Sequence, residues 1–252
     1  MAGGHLKGFT MFQIPRHHAL AVAALFGMLW TTSVCADDCH PELDPSKPQY
    51  IVGYGSLMNA SSKRITEPDA GINLPALVTG FERSWNTHGS YGSTTYLGIR
   101  PSKSATIAAA LYRDFLEDGK LGSDARERSY CRVAVEPDAI RMLDGSTVPN
   151  PGQIWIYVNK SPKPAPPNPK YPITQSYVDL FISGCITLQS RVTEPDVDFV
   201  DQCVRTTRGW SKHWVNDRLY PRRPLAHEPM AWQIDQYLKR LLPELFDGIR
   251  IE

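Results

Sequence analysis

The sequence predicts an α+β fold, with strands in the first two-thirds of the mature chain and helices in the last third. Three observations predict it: apolar and β-branched stretches recur between Tyr50 and Val158, a proline-rich segment follows at 161–172, and apolar residues three and four apart come after it. These patterns are typical of strands, of an extended surface loop and of core-facing helices, respectively.

The strands and helices can be assigned in order along the chain. Strands are expected for "YIVGY", "ALVTGFERSWNT", "TTYLGIRPS", "ATIAAALYRDF", "YCRVAVEP" and "QIWIYV". The loop at 161–172 is expected to stay outside any sheet, because its prolines cannot donate ladder hydrogen bonds. Helices are expected for "ITQSYVDLFISGCITLQ", "DVDFVDQCVRTTRGW" and "WQIDQYLKRLLPELF", with "EPD" at 194–196 starting the second of them.

Residues 1–36 are expected to form a secretory signal peptide. Cationic residues at 16–18 precede an apolar run, 19–34, and "SVCADD" offers a small-residue cleavage site after Ala36. A transmembrane anchor is the rival interpretation, but the run is shorter than the roughly 20 residues that span a bilayer. Lipidation at Cys35 is a weaker alternative, because "TTSV" lacks the small residue normally found before a lipid-bearing cysteine. We therefore expect a secreted or periplasmic protein with no integral membrane segment after processing.

The mature chain is expected to be a leader, 37–49, followed by a single domain, 50–252, with a helical C-terminal part. The full sequence has 27 Lys and Arg residues against 26 Asp and Glu residues, so nothing favours nucleic acid or an anionic membrane as a partner. A small neutral or zwitterionic ligand fits this balance better. The sequence does not indicate an oligomeric state.

Four cysteines remain after cleavage: Cys39, Cys131, Cys185 and Cys203. An even number in an oxidising compartment predicts one or two disulfides, including at least one of the last three cysteines, but not their pairing. No metal site is expected, because the sequence has no C-x-x-C and "HEPMA" at His227 lacks the second histidine of a zinc helix.

The stretch "YIVGYGSLMN" runs from an apolar strand directly into two glycines and a serine. Gly53 and Gly55 tolerate positive φ and leave space beside the backbone, so successive amides can point at one carboxylate or phosphate. An ordinary glycine-rich turn is the alternative, which these residues alone favour. The dinucleotide fingerprint is excluded because its third glycine would fall at Met58, and Ser56 does not stand in a Gly-x-Ser-x-Gly elbow.

A second stretch, "SDARERSYCRVAV", crowds acids and arginines before a predicted core strand. A solvated charged turn is the ordinary interpretation of any one glutamate in such a run. Glu127 differs because it lies at the entry to the strand, where the fold can hold it rigidly and partly desolvate it. Tyr130 supplies a phenol three residues later.

These motifs resemble the γ-glutamylcyclotransferase superfamily in order and spacing. "VGYGSLM" is followed by "GFERSWN", "YLGIRPS", "LYRDF", "DARERSYCRVAV" and "QIWIYV", and "GWSKHWVNDRLYPRR" resembles the C-terminal part of some bacterial members. The resemblance implies a small mixed β-barrel flanked by helices, and a reaction without a cofactor. In that reaction, the α-amine of a γ-glutamyl substrate attacks its own γ-carbonyl, forming 5-oxoproline and releasing an amino acid, peptide or amine.

Carried over residue by residue, the resemblance makes Glu127 the catalytic proton carrier. Substrate binding is assigned to the glycine-rich stretch and the later phenol: Tyr54, Gly55, Ser56, Leu57 and Tyr130. Two other functions stay open, a γ-glutamyl-ligand binding protein without turnover and a γ-glutamyl amidase that uses water. The sequence does not indicate which γ-glutamyl substrate is used.

We predict that the exported protein begins at Asp37, because the cationic start, the apolar run and the small-residue site all fit signal-peptide cleavage. Intact-mass analysis of protein exported by a native host checks this. A mass that still includes residues 1–36 would contradict it.

Overall fold

The structure is a computed structural model that describes residues 39–89, 92–161, 163–223 and 229–252. The predicted signal peptide and its cleavage site lie outside the described residues.

The described chain has a mixed α+β fold with six α-helices and three sheets. The strands are β1 Gln49–Gly53, β2 Leu74–His88, β3 Thr95–Asp114, β4 Leu116–Glu117, β5 Lys120–Leu121, β6 Tyr130–Ala134, β7 Ile140–Met142, β8 Gln153–Asn159, β9 Ile173–Thr174, β10 Thr207–Arg208, β11 Trp214–Asn216 and β12 Arg250–Ile251. The helices are α1 Ala60–Arg64, α2 Gly122–Arg126, α3 Gln175–Gln189, α4 Phe199–Arg205, α5 Ala231–Leu241 and α6 Pro243–Phe246.

The large sheet has the order β10-β2-β3-β1-β8-β6, and β7 also pairs with β2. The long pair β2/β3 is antiparallel, whereas β1 and β8 run parallel at the centre of the sheet. Smaller sheets are formed by β12-β11-β9 and by β4-β5. The mixed character expected from the sequence is therefore confirmed.

Closure of this sheet into a barrel was expected from the resemblance and is wrong for the described residues. The sheet ends at β6 on one side and at β10 and β7 on the other, and these edges do not pair. The strands beside β2 are only two and three residues long, too short to bridge to β6. The leader covers part of the opposite edge instead, because the Arg132 amide in β6 donates to the Cys39 carbonyl at 2.8 Å.

Two predicted strands, "TTYLGIRPS" and "ATIAAALYRDF", are one strand of twenty residues, β3. Pro101 does not interrupt it, because it lies opposite Phe81, where the ladder shifts register after Thr79. Gly80 occupies this bulge with a φ of 90°, a conformation that glycine adopts without strain. A proline is tolerated where a bulge already disturbs the ladder.

The helical C-terminal part is confirmed, with changes at the helix ends. α4 begins after Asp198, whose side chain accepts from the Asp201 amide at 2.9 Å, so the expected start at 194–196 is too early. Pro243 divides the last predicted helix into α5 and α6. Residues 163–172 form neither helix nor strand, as expected.

One face of the large sheet packs against helices. On the opposite face, side chains of the strands pack against one another and form a second core. Ala108 and Ala110 in β3 contact the helical core, whereas Ile107, Ala109 and Leu111 belong to the second core. This alternation follows from the period of two along a strand. No helix within the described ranges is both long and apolar enough to cross a bilayer.

Two disulfides join the four cysteines that follow Ala36. Cys39 pairs with Cys131, which ties the leader to β6, and Cys185 pairs with Cys203, which ties α3 to α4. The expectation that at least one of the last three cysteines is bonded is therefore confirmed.

Arg83 in β2 is fully buried and connects the sheet to the helices. Its guanidinium donates to the carbonyls of Tyr54 at 3.1 Å, Ala108 at 2.7 Å and Cys203 at 2.7 Å. It also lies 4.6 Å from the ring centre of Phe181 in α3. Burial lowers the pKa of Arg83 to about 9, so the group still carries its charge at neutral pH.

We predict that Arg83→Met lowers the free energy of unfolding by about 3–5 kcal/mol, because three buried carbonyls lose their donors. Urea unfolding of the variant beside wild type measures the loss. Arg113→Met is the matched control, since Arg113 is exposed and should change stability by no more than about 0.5 kcal/mol. Equal stability of the two variants would contradict the role of Arg83.

Candidate active site

A cavity of about 650 Å³ opens where β1 ends. It is lined by residues that follow β1, by the segment between α2 and β6, by the ends of β2 and β8, and by α3. The six residues assigned from the sequence all lie on its wall: Tyr54, Gly55, Ser56, Leu57, Glu127 and Tyr130. Segments about 70 residues apart in the chain therefore meet at one cavity.

The glycine-rich stretch forms a short 3₁₀ turn, Ser56–Met58, rather than a left-handed turn. The described glycines with positive φ are elsewhere, so the expected conformational reason for Gly53 and Gly55 is wrong. Close packing is the reason instead. A Cβ at position 55 would lie 2.8 Å from the Tyr177 hydroxyl oxygen, so any side chain there would displace the turn or Tyr177.

Three successive amides of this turn are available to a ligand. Met58 and Asn59 donate within the turn, to Gly55 and Ser56, whereas the amides of residues 55–57 have no acceptor among the described residues. The Tyr54 carbonyl faces away because it accepts from Arg83. Such a row of amides can bind a carboxylate.

Neighbouring elements hold the turn in place from two sides. The Tyr54 hydroxyl donates to the Tyr157 carbonyl in β8 at 2.7 Å. In α3, Gly184 packs so closely against the turn that a Cβ there would lie 2.6 Å from the Met58 carbonyl carbon. The turn therefore keeps its shape without a ligand.

Glu127 ends α2, the one-turn helix before β6. Its amide donates to Ser123 at 2.9 Å, and its carbonyl accepts from the Tyr130 amide at 2.8 Å. The side chain is 14% exposed, with one carboxylate oxygen 3.4 Å from Arg126 Nε. Burial raises the pKa of Glu127 to about 7 against the lowering effect of Arg126 and Arg223, and the nearby Glu67 raises it further.

Buried polar contacts anchor α2. Asp124 accepts from the Tyr157 hydroxyl at 2.7 Å and pairs with Arg132 in β6. On the other side, the Ser123 hydroxyl donates to Glu67 at 2.7 Å, and this carboxylate is itself buried. These contacts fix the direction in which Glu127 leaves the helix.

Arg126 joins the carboxyl to the glycine-rich turn. It donates to the Ser56 hydroxyl at 2.9 Å and to the Ser62 carbonyl at 2.8 Å, while its Nε faces Glu127. The glycine-rich turn and the segment that carries Glu127 are therefore linked by one side chain.

Phenols line the wall around Glu127. Burial raises the pKa of Tyr130 and raises that of Tyr177 to about 12, so both stay protonated and can donate to a ligand oxygen at neutral pH. Tyr96 packs edge-on against Tyr177 at 4.9 Å between ring centres.

The assigned residues differ in what they can offer a ligand. The Tyr54 hydroxyl is already used by the backbone and the Leu57 side chain is buried, so Tyr54 and Leu57 contribute wall and backbone. Sequence reasoning did not assign Arg126, Tyr177 or Arg223, which also line the cavity. Arg126 precedes Glu127 in "SDARERSYCRVAV", and Arg223 is the last residue of "GWSKHWVNDRLYPRR", so both lay in stretches that the motif comparison used. Tyr177 lay only in a stretch with the apolar spacing of a core helix.

Within the ranges that the structure covers, no group of three or more His, Cys, Asp or Glu side chains could hold a metal ion. The polar groups of the cavity are instead a carboxyl, phenols, guanidinium groups and backbone amides.

Comparisons with known proteins give matches among solved structures. No family model matches the chain, and no curated protein matches it. The chain is similar to a structure described as a gamma-glutamyl cyclotransferase, at 13% identity and a TM-score of 0.46, over 63% of this chain and 87% of that one. It is also similar to a yeast cyclotransferase described as specific to glutathione, at 13% identity and a TM-score of 0.36, over 63% and 97%.

A third similar structure is YkqA from Bacillus subtilis, at 17% identity and a TM-score of 0.40, over 63% of this chain and 53% of that one. The structures found thus include ones named for the family that the sequence motifs resemble. At these identities and TM-scores, the likeness alone assigns no activity to this chain.

We predict that Glu127→Gln stabilises the protein in a pH-dependent way. Because the folded pKa of about 7 lies above the unfolded value of 4.5, wild type loses stability as pH rises through this window, and the variant does not. At 1.36 kcal/mol per pKa unit, the variant should gain up to about 3 kcal/mol relative to wild type between pH 4.5 and 7.

Urea unfolding from pH 4 to pH 8 measures this gain. Glu136→Gln is the matched control, because Glu136 is exposed and lies outside the cavity lining. A difference in stability between Glu127→Gln and wild type that does not change with pH would contradict the raised pKa.

Proposed function

We propose that this protein is a γ-glutamylcyclotransferase-type enzyme that converts a γ-glutamyl compound into 5-oxoproline and a free amino acid, peptide or amine. One observation carries the proposal: the buried carboxyl of Glu127, with a pKa of about 7, shares a cavity with the free amides of residues 55–57. The motif resemblance agrees with this chemistry.

The glutamyl head of the substrate fits these two features together. Its α-carboxylate accepts hydrogen bonds from the amides of residues 55–57, which replace the water it loses. Its α-ammonium then faces Glu127, which can receive a proton from it. The rigid turn contributes mainly by orientation, because a well-placed intramolecular nucleophile already has an effective molarity on the order of 10⁵ M or more.

The reaction needs one proton carrier that acts twice. The α-ammonium gives a proton to the Glu127 carboxylate, and the free amine attacks the γ-carbonyl carbon, forming the new C–N bond and a tetrahedral oxyanion. Glu127 then returns the proton to the leaving nitrogen, and the original C–N bond breaks as the γ-carbonyl reforms. The ring nitrogen gives its extra proton to the Glu127 carboxylate, from which the departing amine takes it and leaves as an ammonium. The products are 5-oxoproline and the leaving amine, with no water consumed.

The electrostatics of the cavity suit both steps. A carboxyl with a pKa of about 7 is partly ionised at neutral pH and can accept and donate with comparable ease. The phenols of Tyr130 and Tyr177 can donate hydrogen bonds to the developing oxyanion, because their raised pKa values keep both hydroxyls protonated at neutral pH.

We also propose a location outside the cytoplasm. The signal-peptide pattern suggests export, and the two disulfides support an oxidising compartment, where such bonds persist.

We predict that Glu127→Gln lowers the rate of 5-oxoproline release by about 10³- to 10⁴-fold, because the amide cannot carry the proton in either step. Ligand binding should survive, since the amides of the turn are unchanged. Mass-spectrometric measurement of 5-oxoproline over a panel of γ-glutamyl compounds gives the rate, and calorimetry gives the affinity.

Glu136→Gln serves again as the matched control and should keep wild-type activity. The product separates the alternatives: free glutamate indicates a water-using amidase, and binding without any product indicates a ligand-binding protein. Glu127→Gln activity within threefold of wild type would refute the assignment of the proton carrier.

A further inference from the structure

The cavity carries more positive charge than the proposed reaction uses. Among the described residues that line it, Glu127 is the one carboxylate, and Arg126 already faces it. Arg128, Lys160 and Arg223 also line the cavity, and among the described residues no carboxylate lies within ion-pair distance of them. A zwitterionic glutamyl head adds no net charge, so these cations remain without a counter-charge.

Arg223 is the cation whose position the fold defines most closely. Its guanidinium carbon lies 4.6 Å from the centre of the Tyr96 ring and 5.8 Å from that of Tyr177. Its backbone amide donates to the Ser176 hydroxyl at 3.3 Å, which ties the residue to the start of α3. Lys160, by contrast, already donates its ammonium to the Arg128 carbonyl at 3.0 Å.

The Arg223 side chain has no hydrogen-bond acceptor in the described part of the chain. Its Nε is buried without a partner, which is costly for a charged group unless a ligand supplies one. Contact with the two aromatic rings restricts where the guanidinium can lie, and its planar fork of donors matches a planar, two-oxygen acceptor. A carboxylate has that geometry.

We propose that Arg223 binds a carboxylate on the leaving group of the substrate, so that the protein prefers γ-glutamyl amino acids or peptides to γ-glutamyl amines. This substrate preference rests on the proposed function. The α-carboxylate of the glutamyl head is already provided for by the amides of residues 55–57, and the donors of Arg126 are occupied by Ser56, Ser62 and Glu127. The second carboxylate gives Arg223 a counter-charge.

Two substrates that differ by one carboxylate test this inference. γ-Glutamyl-α-aminobutyrate and γ-glutamyl-n-propylamide have the same leaving-group carbon chain apart from that group. Wild type should favour the first in kcat/KM, and Arg223→Gln should lower kcat/KM for it by about 10- to 100-fold, the usual range for a charge-assisted hydrogen bond. Turnover of the propylamide should stay within threefold of wild type.

Arg222→Gln is the matched control, since that side chain contacts the carbonyls of Gly92 and Ser93 and the Glu252 carboxylate outside the cavity lining. It should keep the wild-type ratio between the two substrates. An equal loss for both substrates in Arg223→Gln would overturn the proposal, because it would indicate a role toward the shared glutamyl head or the fold.

A binding measurement separates failure of this inference from failure of the proposed function. In the Glu127→Gln background, calorimetry gives the Kd of each compound without turnover. Tighter binding of the aminobutyrate compound that disappears on adding Arg223→Gln supports the carboxylate site, even if wild type makes no 5-oxoproline. Equal Kd values for the two compounds, or no binding of either, would overturn it.

Discussion

The arrangement of this molecule depends on a buried guanidinium that no carboxylate of the described residues pairs with. Arg83 satisfies its donors with backbone carbonyls from the turn after β1, from β3 and from the last turn of α4. A helix C-terminus carries partial negative charge, so the α4 carbonyl is a favourable partner for a cation. Because carbonyls from three separate segments all accept from it, one side chain holds the sheet, the glycine-rich turn and the helices in a single geometry.

The groups that line the cavity owe their positions to the arrangement that Arg83 holds. Holding the Tyr54 carbonyl on the Arg83 side leaves the next amides facing the open end of β1. Packing of α3 against the same turn brings Tyr177 beside it, and burial from solvent is what raises the pKa of Glu127. Binding groups and a titratable carboxyl therefore share the wall of one small cavity.

Local patterns predicted the strands and helices well, because alternation and three-to-four spacing are properties of neighbouring residues. The open edges of the sheet and the continuity of β3 were not predicted, since they depend on which edges meet and on a bulge at Gly80 beside the Phe81–Pro101 pair. For the site, Glu127 and the glycine-rich turn lay in motifs with a chemical interpretation. Tyr177 lay in no such motif and Arg223 ended a quoted motif without an assigned role, because what brings both to the cavity is the packing of α3 and of the chain that follows β11. The reason for Gly55 was also a tertiary one, the approach of the Tyr177 hydroxyl.

The carboxyl of Glu127 is carried by a helix of only five residues, α2. A single turn has little stability of its own, so its persistence depends on Asp124 and Ser123 keeping their side-chain partners. Such a segment opens locally at a lower free energy than the sheet beneath it. We therefore expect a few polar contacts around α2 to set the temperature at which the site comes apart, and this temperature to lie below the melting temperature of the whole molecule.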